Sequence, residues 1–177
     1  MTTETTRDRE WLRDLWRTHA DAVQRYVQRR TPWLPAEDLT SETFLVAWRR
    51  REDVPQDALP WLLATVRNHI GTALRAGDRQ REMLATLGHE ARSEAVHDGD
   101  PARRLALSDA WGTLPEDARE VLTLIAWDGL TNDQAGAVLG ISGGTFAVRL
   151  HRARARLEKS MQEAPDEVPD SREVHHD

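Results

Sequence analysis

Apolar side chains recur every three or four residues through the first half of this chain, which is the spacing of amphipathic helices. The pattern predicts helices over residues 7–30, 36–51 and 57–76, with Asp57 as the N-cap of the third. Prolines separate the first two helices, because proline disfavours helical backbone in the residue before it. Gly77-Asp78 predicts an interruption after the third helix, followed by a weaker helix to about residue 87.

Residues 88–101 contain few apolar side chains and end in Gly, Asp and Pro, which is typical of a linker. Helical spacing resumes over residues 102–112 and 115–127, where Pro115 and the two acids after it suit a helix start. Strand-like alternation of apolar and polar residues is found nowhere in the sequence. We therefore expect an all-α fold.

These boundaries predict two small helical domains, residues 7–88 and 102–161, joined by a flexible linker over residues 89–101. The C-terminal domain is expected to contain a helix-turn-helix. Residues 162–177 are polar and acidic, and we expect them to form a disordered tail.

The stretch that begins at Thr131 has the pattern of that helix-turn-helix. Thr131 and Gln134 are spaced as a capping box at the start of a short helix. Gly136 keeps this helix thin where a second helix crosses it, and Gly140 suits its left-handed end. Ser142 then stands where it can cap a second helix that runs to about residue 161. The order of caps and glycines favours a DNA-binding unit over a solvated basic helix.

Net charge is -6 over the 177 residues, which argues against a nucleic-acid partner until its distribution is considered. Residues 162–177 carry six acids and one arginine, a sum of -5, whereas residues 143–161 carry five basic groups and one acid, a sum of +4. The local field governs phosphate binding more than the total charge does. The second helix of the motif is therefore a candidate DNA contact.

Composition excludes several classes of function. The chain has no cysteine, so disulfides, thiol catalysis and cysteine-ligated zinc are excluded. No apolar run approaches the length of a bilayer span, and the N-terminus lacks the apolar core of a signal peptide, so we expect a cytoplasmic protein. His175-His176-Asp177 could ligate a metal, but a frayed terminus rarely preorganises one. We assign no catalytic residue, metal ligand or cofactor.

Two other classes of protein share parts of this pattern. A helix-turn-helix transcriptional regulator would use the N-terminal domain for dimerisation or sensing. A hydrolase would use Gly140-Ile141-Ser142-Gly143-Gly144, which matches the G-x-S-x-G nucleophile elbow. That elbow needs a preceding strand, whereas a helix is predicted here, so Ser142 is better interpreted as a cap.

Four motifs in order resemble the extracytoplasmic-function (ECF) group of RNA polymerase sigma factors in the sigma-70 family. The first three are Leu15 to Val23, Ala36 to Arg49 and Trp61 to Asn68, which are similar to the family's region 2. The fourth begins at Leu114-Pro115 and ends at Arg149 to Arg154, similar to region 4. The resemblance implies a non-enzymatic protein that binds core RNA polymerase, directs it to promoters and helps to open DNA. Many members of the family are held inactive by an anti-sigma protein.

The resemblance also implies roles for individual residues. Those that would bind core polymerase are Asp38, Leu39, Glu42 and Phe44, although Asp38 and Glu42 could be merely solvated and Phe44 merely core. Those that would contact the promoter's -10 element are Arg67, Asn68, Thr72 and Arg75. Those that would contact the -35 element are Thr145, Ala147, Val148, Arg149, His151, Arg152 and Arg154.

The sequence departs from the family pattern at both DNA-binding sites. Thr72 stands where aspartate is usual, and Ala147 and Val148 stand where basic or polar residues are usual. Alanine and valine can meet thymine methyl groups but cannot hydrogen-bond base edges. Base readout at the -35 element is therefore expected to depend mainly on His151 and Arg152.

The resemblance also implies that the loop at about residues 50–56 captures a base swung out of the stack. A pocket must offset the few kcal/mol that extruding a base costs, by stacking and hydrogen bonding. Trp48 and Trp61 are the nearby aromatic side chains, and we favour a core role for both.

Overall fold

The computed structural model describes residues 2–83 and 101–163, and all the regular structure in these two ranges is helical. The helices are α1 (Thr2–Arg30), α2 (Ala36–Arg49), α3 (Ala58–Met83), α4 (Pro101–Thr113), α5 (Glu116–Ala126), α6 (Asn132–Leu139) and α7 (Gly143–Glu163). The expected all-α fold is thereby confirmed. The predicted linker before Pro101, and the tail beyond Glu163 with its two histidines, lie outside the described residues.

The helix boundaries follow the apolar pattern closely, with one error in the first half of the chain. The interruption predicted at Gly77-Asp78 is wrong, because α3 continues through both residues to Met83. A glycine inside a helix costs only about 1 kcal/mol relative to alanine. The arginines, glutamine and glutamate that follow are good helix formers, so one glycine does not end the helix.

The first lobe consists of α1, α2 and α3, which pack against one another in all three pairings. Each helix turns its apolar stripe inward, and Thr31 accompanies them as a buried polar residue whose hydroxyl donates to the Val27 carbonyl over 3.1 Å. The side chains that are almost completely buried are Val23, Tyr26, Val27, Thr43, Leu62, Leu63 and Val66. This packing determines which sides of α2 and α3 face outward.

The second lobe consists of α4, α5, α6 and α7, with α7 packed against each of the other three. Its best-buried side chains in the described residues include Leu124, Ala135, Phe146 and Ala153. Pro115 is the N-cap of α5, and the two acids that follow it lie in the helix's first turn, where the helix dipole favours negative charge.

The two lobes pack against each other, mainly through α3 and α6. Their buried apolar side chains form one contiguous cluster. Polar contacts cross the same boundary: the Asp57 carboxylate, directly before α3, accepts a hydrogen bond from the Gln134 amide of α6 over 2.8 Å. The described parts of the two lobes are therefore in direct contact.

Tyr26, the only tyrosine of the chain, lies beneath this boundary with no exposed surface. The Arg30 guanidinium carbon lies 3.5 Å from the centre of its ring. Burial raises the pKa of the Tyr26 phenol from 10.0 to about 12, while the positive charge of Arg30 acts in the opposite direction. Burial dominates because the ionised phenolate would lose its hydration.

We expect Tyr26 to ionise at about pH 12 in the native protein and near pH 10 in the unfolded chain. The folded state then holds a proton that the unfolded state releases. Stability is therefore unaffected by this group below pH 10 and falls by up to about 2–3 kcal/mol as the pH rises from 10 to 12. Tyrosinate absorbance measured with and without urea checks this, and native ionisation near pH 10 would contradict it.

Candidate nucleic-acid interface

The first helix of the helix-turn-helix is α6, and its start and end are built as the sequence predicts. The Thr131 hydroxyl accepts from the Gln134 backbone N–H over 3.3 Å, and the Gln134 side chain accepts from the Thr131 N–H over 2.9 Å. At the other end Gly140 adopts φ 68°, a left-handed conformation that glycine takes without steric cost. Both predictions are confirmed.

The turn between α6 and α7 passes close to the backbone at Gly136. A Cβ atom at this position would lie 2.8 Å from the Ile141 carbonyl oxygen and 3.1 Å from the Gly143 nitrogen. The Ile141 N–H donates to the Gly136 carbonyl over 2.9 Å, which holds the turn against the helix. The predicted reason for glycine here, close approach of the second helix, is therefore confirmed.

Ser142 caps α7, because its hydroxyl accepts from the Thr145 backbone N–H over 3.1 Å. The turn that contains Ser142 follows helix α6, whereas a nucleophile elbow requires a strand at that position. This geometry contradicts the hydrolase interpretation of the glycine-serine motif.

The inner face of α7 is apolar and its outer face is basic. Phe146, Leu150 and Ala153 are buried, and Leu157 is partly buried against the core. Of the residues predicted to contact the -35 element, Ala147 is half-buried, whereas the others are exposed: Thr145, Val148, Arg149, His151, Arg152 and Arg154. None of these three arginines forms an ion pair with another described residue. The helix therefore presents to solvent three guanidinium groups that have no ion-pair partner among the described residues.

A second polar surface lies on α3, where Asn68, Thr72 and Arg75 are exposed. The Arg75 guanidinium donates to the Thr72 hydroxyl over 3.1 Å, and that hydroxyl donates to the Asn68 carbonyl over 3.0 Å. These contacts place the three residues on one face, as their spacing predicts.

Arg67, the fourth residue assigned to the -10 element, faces the second lobe instead. Its Nε and Nη2 atoms donate to the two carboxylate oxygens of Glu120 on α5, over 2.7 and 3.1 Å. Hydrogen bonding to Glu120 raises the pKa of Arg67. The sequence offered no signal for this pairing, because the two residues lie 53 positions apart.

The loop before α3 carries arginines that lie over tryptophan rings. The Arg50 guanidinium lies 6.0 Å from the Trp61 ring centre, and that of Arg51 lies 5.8 Å from the Trp48 ring centre. Both rings are partly buried, and Trp61 packs against the core, which agrees with the role favoured for it.

The residues assigned to polymerase binding on α2 are divided between the surface and the core. Asp38 and Glu42 are exposed one helical turn apart, whereas Leu39 and Phe44 are buried. The Phe44 ring packs on Trp16 of α1 with ring centres 4.7 Å apart, so it supports the helix from beneath.

Sequence reasoning missed one exposed apolar side chain on this helix. Leu45 is 53% exposed. It adjoins Phe44 in the sequence, and helical spacing alone does not tell which of two neighbouring apolar residues faces outward.

The described residues contain no cluster of three or more His, Asp or Glu side chains that could hold a metal ion. Within the same ranges, none of the helices combines the length and apolar character needed to cross a membrane.

Two family models match the chain. The model described as sigma-70 region 2 matches residues 15–80, within the first lobe and the described part of α3. The model described as sigma-70, region 4 matches residues 104–157, from α4 through most of α7. The alternative of a regulator with an N-terminal dimerisation or sensing domain is not favoured, because the first lobe is itself a sigma-factor region.

Curated proteins similar to this chain include RNA polymerase sigma factor CarQ of Myxococcus xanthus, 35% identical over 163 residues that cover 88% of this chain and 91% of CarQ. ECF RNA polymerase sigma factor SigL of Mycobacterium tuberculosis is 31% identical over 158 residues, which cover 86% and 89% of the two chains.

Among solved structures, the sigma factor RpoE of Bartonella quintana, in complex with the anti-sigma factor NepR, has a similar fold. Its TM-score is 0.58 at 24% identity, covering 86% of this chain and 98% of that one. The region 2 match lies in the first lobe and the region 4 match lies in the second, which agrees with the two-lobed helical architecture. The chain therefore belongs to the sigma-70 family as an ECF RNA polymerase sigma factor, which directs core RNA polymerase to promoters for transcription initiation.

Proposed function

We propose that this sigma factor divides promoter recognition between its lobes, with α7 reading the -35 element and α3 contacting the -10 element while α2 binds core polymerase. The observation that carries the proposal is the orientation of α7. Phe146 and Leu150 face inward. The arginines of α7 face outward, on the helix that directly follows the turn of the helix-turn-helix. A basic helix presented in this way fits the major groove of DNA.

For polymerase binding, the exposed face of α2 offers Asp38 and Glu42 together with the apolar side chain of Leu45. Acids beside an apolar side chain suit a groove of arginines and leucines on the partner. Leu39 and Phe44 act indirectly, because their buried side chains hold α2 in place.

We expect Asp38→Arg to weaken binding to core polymerase at least tenfold, on the order of the cost of juxtaposing like charges at an interface. Glu37→Arg is the matched control, since Glu37 is also exposed in the first turn of α2 but points to a different side. Co-elution with core polymerase and run-off transcription measure the effect. Equal losses in both variants would contradict this docking surface.

For the -35 element, we propose that Arg152 and His151 contact base edges while Arg149 and Arg154 position phosphates. Val148 is 51% exposed on the same helix and is available to a thymine methyl group. Arginine is suited to bidentate contacts with guanine, whereas phosphate contacts carry no direct sequence information.

We expect Arg152→Ala to cost about 1–3 kcal/mol at a specific base pair and to relax selectivity there. Arg156→Ala is the control, because Arg156 is exposed one turn further along α7 and its loss removes the same charge. Transcription from promoters mutated singly across the -35 element measures selectivity. An unchanged selectivity profile for Arg152→Ala, or the same profile for both variants, would exclude base contact by Arg152.

From the proposed role in transcription initiation we infer that the protein works in the cytoplasm, where polymerase and promoters are found. We also infer that it is not itself an enzyme. The capping role of Ser142 supports the second inference, since the chain's one hydrolase-like motif is used to start a helix.

We also propose that an anti-sigma protein binds this chain. Two structures of similar fold contain such a partner: RpoE with the anti-sigma factor NepR, and CnrH with the cytosolic domain of CnrY, the latter at a TM-score of 0.59 and 23% identity. Purified candidate partners should compete with core polymerase for this chain.

A further inference from the structure

Val148 lies at the middle of the side of α7 that faces away from the core. It follows the fully buried Phe146 by two residues, which is about 200° around the helix axis. Val148 is half-exposed and lies outside the apolar cluster formed by the described residues. Valine is also a weaker helix former than the straight-chain residues. Neither packing nor helix propensity therefore accounts for a valine at this position.

The side chains around Val148 belong to the surface that is assigned to DNA. Arg152 follows it by four residues and His151 by three, so both lie on the same side of the helix, about one turn further on. Four residues rise about 6 Å along the axis, which is less than the rise of two base pairs at about 3.4 Å each. With α7 in the major groove, Val148 and Arg152 therefore face neighbouring base pairs.

The chemistry of valine limits what Val148 recognises in that groove. Its side chain has no hydrogen-bonding group, so it does not distinguish the donors and acceptors by which base pairs differ. The 5-methyl group of thymine is the one apolar group that a standard base pair presents in the major groove. Removing one such group from water against an apolar side chain strengthens binding by about fourfold.

The same methyl group occurs on a second base. 5-Methylcytosine carries it at the same ring position as thymine, and the two bases differ at position 4, where thymine has an oxygen and cytosine an amino group. A valine side chain that contacts the methyl group makes no hydrogen bond to either of these groups. Val148 therefore distinguishes methylated from unmethylated pyrimidines, rather than thymine from cytosine.

We propose that Val148 makes this sigma factor a reader of the pyrimidine 5-methyl group. Its -35 element then contains a thymine that is recognised through its methyl group, and 5-methylcytosine at that position is preferred to cytosine. Methylation of the DNA strengthens any promoter that has cytosine there. The inference rests on the proposed contact of α7 with the -35 element, and it gives a role to a residue at which this chain departs from the family pattern.

The first test removes single methyl groups from the promoter. Each thymine of the -35 element, on either strand, is replaced in turn by deoxyuridine, and the holoenzyme concentration for half-maximal run-off transcription is measured. We expect replacement at one position to raise this concentration about fourfold. 5-Bromodeoxyuridine at the same position should restore it, because bromine fills nearly the volume of the methyl group. If no thymine on either strand is sensitive, the proposal is wrong.

The second test assigns the sensitivity to one side chain. For Val148→Ala, the ratio between the deoxyuridine and thymine templates should fall from about four to about one. Arg156→Ala is the matched control, because Arg156 is exposed two turns further along α7. This control should keep the fourfold ratio at whatever overall affinity it has. Loss of the ratio in both variants, or in neither, would contradict a methyl contact by Val148.

The third test uses methylated cytosine. At the sensitive position the thymine-adenine pair is replaced by a cytosine-guanine pair, with or without the cytosine 5-methyl group. The wild-type protein should require about fourfold less holoenzyme on the methylated template, whereas Val148→Ala should require the same amount on both. Equal concentrations on the two templates for the wild-type protein would overturn the proposal.

Failure of this inference differs from failure of the proposed function. If Arg152→Ala alters base selectivity but no deoxyuridine replacement changes transcription, α7 reads the -35 element without a methyl contact, and only the inference fails. If neither the Arg152→Ala variant nor any base change in the -35 element has an effect, the assignment of α7 to this element fails, and the inference fails with it.

Discussion

Phe146→Ala should lower the free energy of unfolding by about 3–5 kcal/mol, the range for removing a fully buried aromatic side chain. Phe146 has no exposed surface and lies in the first turns of α7, where it anchors the helix to the core. Typical domains are stable by only about 5–15 kcal/mol, so this loss is a large fraction of the total. Urea unfolding followed by tryptophan fluorescence measures it.

Val148→Ala is the matched control for this prediction. Val148 lies two residues further along the same helix and is 51% exposed, so its truncation leaves little cavity. We expect a change in unfolding free energy within about 0.5 kcal/mol. If both variants lost similar stability, the inward orientation of Phe146, and with it the outward orientation of the basic face, would be wrong.

Gly136→Val should destabilise the protein by about 3 kcal/mol, because it places a branched side chain against a backbone that cannot easily move. The Cβ atom alone would lie 2.8 Å from the Ile141 carbonyl oxygen. To relieve that contact, the turn must shift away from α6, and α7 must move with it. We therefore expect loss of promoter binding in addition to the loss of stability.

Gly112→Val tests whether glycine replacement itself causes these effects. Gly112 lies within α4 and is exposed, and a Cβ atom added there would meet no neighbouring side chain or packed backbone within 4 Å. Valine is a better helix former than glycine, so this variant should be neutral or slightly more stable. Thermal unfolding of both variants, together with run-off transcription, separates the effect of the close approach from that of the substitution. A neutral Gly136→Val would contradict the close approach of the helices.

Local patterns in the chain were sufficient for most of the secondary structure and for the helix-turn-helix. Thr131, Gln134 and Gly140 act through hydrogen bonds and backbone angles within a few residues of themselves. Such interactions are encoded by neighbouring side chains, so sequence reasoning can identify them. The interruption predicted at Gly77 does not occur, because the small cost of one glycine in a helix is outweighed by the helix formers that follow it.

The candidate DNA and polymerase surfaces were predictable in part. Spacing placed Asn68, Thr72 and Arg75 on one face of α3, and the structure agrees. Spacing did not show that Phe44 is buried while its neighbour Leu45 is exposed. That distinction depends on how α2 rotates against Trp16 and the rest of α1, which is a property of packing.

From the order of its residues alone, this chain could be assigned an all-helical fold, the sigma-factor family and a basic recognition helix, because caps, periodicity and motifs act over short distances. The pairing of Arg67 with Glu120, and the contact between the two lobes, required the folded structure. These residues lie far apart in the sequence, and their contact depends on the packing of α3 against α6. Helical periodicity identifies which side of a helix is apolar, but it carries no information about which distant helix will cover that side.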